Sequence, residues 1–213
     1  MIFNKNDVIV FAGDSITDCG REYPSGEGAP VKNPFGSGYV SLVFSYLYAK
    51  YPELHLRIIN KGIGGNRSSD LVKRYNDDIL AHNPNLVYLM IGVNDVWRHF
   101  DTPYQVGSHL TKEEYKNNLE TMIKMTLTKK SKLIILSPFF LEANKEDLMR
   151  KMLDEFTLEA KALSKQYNLL FIDIQKAFDN VLKHITTHEL SRDRVHPNIT
   201  GHMIIANEII NNI

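Results

Sequence analysis

The segment Asp7-Val8-Ile9-Val10-Phe11-Ala12-Gly13-Asp14-Ser15-Ile16-Thr17-Asp18 runs from an apolar stretch of strand length into a small-residue turn that carries a hydroxyl. An unbroken apolar run, rather than polar–apolar alternation, is what a strand buried on both faces requires. The same reading predicts strands over 7–11, 56–60, 86–91, 133–137 and 169–172, all rich in Val, Ile and Leu. Helical periodicity appears at 39–49, 69–82, 112–129, 147–166 and 175–183, with a last helix from about 200 to 211 and Thr200 as its N-cap. Buried strands alternating with amphipathic helices predict an α/β fold in which a parallel sheet is flanked by helices.

In such a sheet, ligands bind outside the carboxyl ends of the strands. Ser15, Gly64-Gly65, Asn94-Asp95 and Ser137-Pro138 each follow an expected strand, so four loops should converge on one crevice. The long irregular stretch over 21–38, with Pro24, Pro30, Pro34 and several glycines, is expected to wall that crevice and so to favour small groups within it. The sequence carries no internal repeat or interdomain linker, and it reads as one domain over 1–213. A chain of that size buries about 70% of its unfolded surface.

Composition narrows the class of partner. Lys and Arg together number 25, as do Asp and Glu, so no net charge draws the chain to nucleic acid or an anionic membrane. A small or neutral substrate fits better. No apolar run approaches the roughly 18 residues of a membrane span. Lys5 ahead of Val8-Ile9-Val10-Phe11-Ala12 faintly resembles a signal peptide, but cleavage there would remove the strand that positions Ser15, so a cytoplasmic protein is expected. The single cysteine, Cys19, has no disulfide partner within the chain and reads as a small buried filler rather than a nucleophile.

The chemistry-bearing residues lie at the two ends of the chain. Ser15 is a weak nucleophile unless a base removes its proton as it attacks. His196, in Asp193-Arg194-Val195-His196-Pro197, supplies an imidazole base, and Asp193 three residues earlier can orient it. Acyl transfer also needs donors for a developing oxyanion. The side chain of Asn94 and the backbone N–H groups of Gly65 and Ser15 are candidates. Taken singly, each of these motifs is also an ordinary turn; their joint placement at strand ends turns the reading toward catalysis.

Gly13-Asp14-Ser15, Gly65, Gly92-x-Asn94-Asp95 and Asp193-x-x-His196 together resemble, in order, the four blocks of the SGNH, or GDSL, hydrolases. The resemblance implies a flavodoxin-like three-layer α/β/α sandwich with a five-stranded parallel sheet. It also implies Ser15 as nucleophile, His196 as base, Asp193 as orienting acid, and Ser15, Gly65 and Asn94 as the oxyanion hole, with no cofactor or metal. Asn94-Asp95-Val96-Trp97-Arg98 and Gly201-His202-Met203 extend the likeness to intracellular bacterial acetylxylan esterases, which deacetylate imported xylo-oligosaccharides and form ring-like assemblies. That likeness implies an acetylated oligosaccharide substrate and a homo-oligomer. Asp14, Trp97 and Arg98 are the candidate substrate contacts, Trp97 as a sugar platform, hydrophobic wall or subunit contact and Arg98 as a hydroxyl donor. Phe139-Phe140 read as core or pocket wall, and His202 as a helix residue packed below the late loop. A broad carboxylesterase, lysophospholipase or thioesterase is the nearest alternative. A dinuclear-metal phosphoesterase lacks its Asp-x-His, and a phosphate-cradling binding module lacks the glycine density.

Overall fold

In the computed structural model, which describes residues 2–25, 30–105, 107 and 109–213, five parallel strands pair in the order β2-β1-β3-β4-β5. They are β1 (Val8–Gly13), β2 (Arg57–Gly62), β3 (Leu86–Met90), β4 (Lys132–Leu136) and β5 (Leu170–Ile172), each within two residues of its expected bounds. β1 is an interior strand, with Gly13 in register with Gly62 of β2 on one side and Met90 of β3 on the other. The chain steps outward from β1 to β2, then returns past β1 to build β3, β4 and β5. That reversal leaves a crevice beyond the carboxyl ends of β1 and β3, where the loops after the two strands diverge.

The helices are α1 (Ser15–Asp18), α2 (Tyr39–Lys50), α3 (Ser68–Arg74), α4 (Val93–Asp101), α5 (Lys112–Thr128), α6 (Leu148–Gln166), α7 (Ile174–Val181), α8 (Thr187–Leu190) and α9 (Ile199–Ile210). α2 packs on α9 and α9 on α7, while α3, α5 and α6 form a second row. The result is the parallel sheet flanked by helices that the alternation of elements predicts, in the α/β/α layering that the resemblance implies. Between the layers, Phe11 stacks on Tyr88 with centroids 4.8 Å apart and meets the edge of Tyr39 at 5.9 Å. Such aromatic pairs add to the apolar burial that fixes β1, and hence the turn that follows it.

Three boundaries differ from expectation for physical reasons. The helix expected over 69–82 is α-helical only to Arg74, then widens into a π turn at Tyr75–Ile79 and tightens at Leu80–His82. The π and 3-10 pieces are each about one turn long, too short for apolar spacing to separate them from an α-helix. The N-cap of α9 is Asn198 rather than Thr200: its side chain accepts the Gly201 N–H at 3.2 Å. α4 lies outside the expected helices, although Val93, Val96, Trp97 and Phe100 keep helical spacing.

The flanks of the 21–38 stretch are stitched to the end of β2 and the start of α2. Arg21 donates to the Gly62 carbonyl at 2.8 Å, Asn60 to the Phe35 carbonyl at 2.9 Å, and Phe35 stacks on Phe44 at 4.0 Å. The middle of the expected wall, 26–29, lies outside the described residues.

Candidate active site

β1 delivers Ser15 to the crevice through one capped turn. Asp14 accepts the Ile16 N–H at 3.0 Å as N-cap of α1, which makes Ser15 the first helical residue. The backbone N–H groups of a first turn have no partner within their helix, so that of Ser15 is free of helical pairing. Gly64, after β2, comes alongside: a Cβ added there would lie 4.0 Å from the Ser15 Cβ. Asp14 itself, expected at the substrate, is only 1% exposed. Burial, reinforced by the charge of nearby Asp95, pushes its carboxyl up to about 7.

His196, the candidate base, is held by a loop with little sheet support. An isolated bridge joins Ser191 to Pro197, and between them Arg194 adopts φ 65°, a left-handed conformation uncommon outside glycine. The reversal aims the N–H groups of Val195 and His196 at Asp193 Oδ1, at 3.0 and 2.8 Å, and the Ser191 hydroxyl donates to the same oxygen at 3.0 Å. Oδ2 faces His196 Nδ1 at 2.6 Å, and His196 Nε2 stands 2.8 Å from Ser15 Oγ. An ionised carboxylate only accepts, so the ring proton sits on Nδ1 and Nε2 is left to accept from the Ser15 hydroxyl. Burial alone would raise the Asp193 pKa. The bonds from the His196 ring, from two backbone N–H groups and from Ser191 outweigh it and hold the carboxyl below the usual carboxylate range.

Neither Ser191 nor Arg194 had been singled out from the sequence. Arg194 latches the loop to its neighbour: its carbonyl accepts the Leu141 N–H at 2.8 Å, its side chain meets Glu142 at 2.9 Å and Asp147 at 3.2 Å, and its guanidinium stands 4.8 Å from the Phe140 ring centre. A positively charged residue followed three residues after Ser191 carries no local signal for such a role.

The candidate oxyanion donors Gly65 and Asn94 lie at the next two strand ends. Gly65 is exposed with φ 76°, and a Cβ there would meet nothing within 4 Å, so the loop after β2 stays open at this point. Asn94 sits buried in the first turn of α4, which Gly92 starts at φ 136°, and its side-chain nitrogen donates to the Asn66 carbonyl at 3.1 Å. The two loops are locked together by Asp95, which accepts the Ser68 N–H at 2.9 Å and the Ser68 hydroxyl. Burial pushes Asp95 up to about 6 despite those bonds. The adjacent aspartate in Gly92-x-Asn94-Asp95 was visible in the sequence, but its partner was not.

Two clefts flank Asp193. One, of about 380 Å³, is walled by Trp97, Phe100, Phe140 and Leu148 with Asp193 and Arg194; the other, of about 510 Å³, by His188, Ser191, Arg192, Asp193 and His196. The described residues of the 21–38 stretch line neither of these two clefts. Ser137 stays buried and accepts the Gln175 N–H at 3.0 Å, so the loop after β4 reaches the site through Phe140 instead. Trp97 packs edge-on to the His196 ring with centroids 5.7 Å apart, and one of its faces carries the Arg98 guanidinium at 5.2 Å. Cys19 is half-buried at the end of α1, its Sγ 3.2 Å from His202 Nε2. His202 Nδ1 accepts the Tyr39 N–H at 3.2 Å, and burial pushes this histidine down to about 4.

A model of the GDSL-like lipase/acylhydrolase family matches residues 11–204. Over 213 residues, 100% of this chain and 96% of the relative, the sequence is 41% identical to an acetylxylan esterase of Geobacillus stearothermophilus. The crystal structure of that organism's acetylxylan esterase Axe2 superposes with a TM-score of 0.93 at 41% identity, covering 99% of this chain and 95% of the other. An α/β hydrolase enzyme from the metagenome of Lake Arreo, Spain, superposes with a TM-score of 0.94 at 39% identity, covering 99% and 96%. Solved variants of the Geobacillus enzyme, described in two cases as an acetyl-xylooligosaccharide esterase, include catalytic mutants in which a serine, an aspartate or a histidine is replaced by alanine.

Proposed function

The chain belongs to the GDSL-like lipase/acylhydrolase family and is a carboxylic ester hydrolase, and from that premise we propose that it removes acetyl groups from xylo-oligosaccharides by a Ser15–His196–Asp193 acyl-enzyme mechanism. The observation that carries the reading is the continuous line from Ser15 Oγ to His196 Nε2 at 2.8 Å and from His196 Nδ1 to Asp193 Oδ2 at 2.6 Å. Ser15 Oγ attacks the acetyl carbonyl carbon as its proton passes to His196 Nε2. Asp193 holds the ring and stabilises the imidazolium that forms. The negative charge on the former carbonyl oxygen is met by the Asn94 amide and the Gly65 and Ser15 N–H groups. Collapse breaks the bond to the sugar oxygen, which takes the proton back from His196 and leaves an acetyl-serine. Water, deprotonated by the same imidazole, then releases acetate and restores Ser15.

No helix among the described residues is long and apolar enough to cross a membrane. The family resemblance supports a cytoplasmic, homo-oligomeric enzyme, and a monomer in light scattering at micromolar concentration would remove the oligomer from the reading. The test of substrate is acetate release from acetylated xylo-oligosaccharides set beside hydrolysis of p-nitrophenyl acetate, butyrate and octanoate. The expected result is a specificity constant at least roughly tenfold higher for acetyl than for octanoyl esters, a difference of only about 1.4 kcal/mol. Octanoate hydrolysed as well as acetate moves the protein to lipases or thioesterases.

A further inference from the structure

Asn94 has a helical partner whose role goes beyond what the family blocks describe. α4 places Asn94, Arg98 and Asp101 at i, i+4 and i+7, on one face of one helix. Asn94 Oδ1 accepts from Arg98 Nη2 at 3.3 Å, while its Nδ2 donates to the Asn66 carbonyl at 3.1 Å. Arg98 is fixed in turn. Its Nη1 pairs with the Asp101 carboxylate, its guanidinium lies 5.2 Å from the Trp97 ring centre, and its carbonyl accepts from the Thr102 hydroxyl at 3.1 Å.

The two ends of a primary amide are nearly equal in shape, so packing alone does not decide which faces the substrate. Chemistry does. A backbone carbonyl accepts only, so Asn66 selects the nitrogen; a guanidinium donates only, so Arg98 selects the oxygen. With both engaged, one N–H of Asn94 remains for a developing oxyanion. A flipped amide would turn its one oxygen toward both that negative charge and the Asn66 carbonyl, and its NH2 group toward the Arg98 guanidinium. A cation on Oδ1 also draws charge from the amide and strengthens its remaining N–H as a donor.

We propose that Arg98 is a positioning residue that sets the orientation and donor strength of the Asn94 amide, and is not primarily a contact for the sugar. The inference rests on the acyl-transfer reading above, in which Asn94 stabilises the oxyanion. It gives Arg98 a role beside that of the hydroxyl donor expected above, since one Nη serves Asn94, the other serves Asp101, and the guanidinium lies over the Trp97 ring.

The test is a kinetic cycle on p-nitrophenyl acetate and on acetylated xylo-oligosaccharide, with Arg98→Met made in the wild type and in Asn94→Ala. Methionine keeps the apolar stem beside Trp97 and removes the donors. The expected loss is about tenfold in kcat with KM little changed, equal on both substrates and smaller than the roughly hundred- to thousandfold loss on deleting an oxyanion donor itself. In Asn94→Ala the second change should cost nothing further, because Arg98 acts through Asn94. Arg98→Lys should recover part of the rate. Asp101→Asn, which unpins the guanidinium, should lower kcat in the same direction, and it carries the test if Arg98→Met does not fold. An unchanged kcat, additive losses in the cycle, or an effect confined to KM for the oligosaccharide overturns the proposal. Those outcomes leave the esterase reading standing if wild-type hydrolysis still depends on Ser15; loss of that dependence removes both.

Discussion

Asp14 and Asp193 are carboxylates beside the two ends of one hydrogen-bonded line, the first next to Ser15 and the second next to His196, and they are held in opposite ways. Asp14 is 1% exposed at the end of a strand packed on both sides, and burial pushes it up to about 7. The Asp193 side chain is 42% exposed on a loop, and its hydrogen bonds hold it ionised well below the usual carboxylate range. Ser15 is therefore positioned by the core, through β1 and the Phe11–Tyr88–Tyr39 packing, whereas His196 is positioned by local polar bonds and by Arg194. Damage to the first region should appear as lost chemistry on an unchanged scaffold, or as a change in stability. Damage to the second should appear as a misaimed imidazole in a protein that still folds.

The comparison breaks most sharply at Ser15. Ser15→Ala removes the hydroxyl but neither the Asp14 cap nor the β1 packing, so the variant should fold with an unchanged thermal midpoint. Hydrolysis of p-nitrophenyl acetate should fall by up to roughly a millionfold, the scale for losing the nucleophile of a Ser-His-Asp set. Substantial residual turnover in a purified, folded variant would sink the acyl-enzyme mechanism.

Asp193→Asn comes next. An amide offers Nδ2 where the carboxylate only accepted, so the proton on His196 Nδ1 loses its partner and the ring is free to take the other tautomer, with Nε2 no longer able to accept from Ser15. The loss expected is on the order of ten-thousandfold in kcat. Because Ser191, Val195 and His196 N–H all bond one oxygen, the backbone of the loop should stay in place, as judged by unchanged circular dichroism. A variant that loses activity only by unfolding would show that Asp193 acts on the loop and not on the ring.

How much of this was legible follows the same division. The sheet could be read because burial on both faces leaves an unbroken apolar signature, as in Val87-Tyr88-Leu89-Met90, and strand ends then place Ser15, Gly65 and Asn94 on one side. Asp193 and His196 were legible as residue types at a fixed spacing. What supports them was not. Arg194 works through a left-handed backbone and partners at Glu142 and Asp147, far away in sequence, and Asp95 finds Ser68 only once two strands lie side by side. Arg98 could have been paired with Asn94 had 93–101 been read as a helix, since the i, i+4 relation is local. Asp14 was misplaced toward the substrate because a carboxyl beside a serine looks functional; capping a turn beneath it is an equally local use that spacing does not distinguish.

Asp14→Asn should have the smallest effect on turnover and isolates what burial does. The amide oxygen can accept the Ile16 N–H as the carboxylate oxygen does, so the α1 cap and Ser15 should keep their places and activity should change by only a few-fold, within the range for exchanging good N-cap residues. Stability should respond through pH. The folded-state pKa of about 7 lies above the ordinary value of 3.8, so the folded protein holds this proton more tightly than the unfolded chain. Between those limits the unfolded chain ionises first, and the contribution of Asp14 to stability falls as pH rises, reaching its full penalty above about 7. Asparagine does not titrate. The variant should therefore gain on the wild type between pH 5 and pH 8 by an amount on the order of one to a few kcal/mol, read from urea midpoints at the two values. Asp95, also raised, contributes in the same direction in both proteins, so the difference reports Asp14 together with its repulsion from the Asp95 charge. A pH-independent difference, or one that shrinks toward pH 8, would mean that Asp14 is ionised in the folded protein and that its surroundings hold a compensating charge.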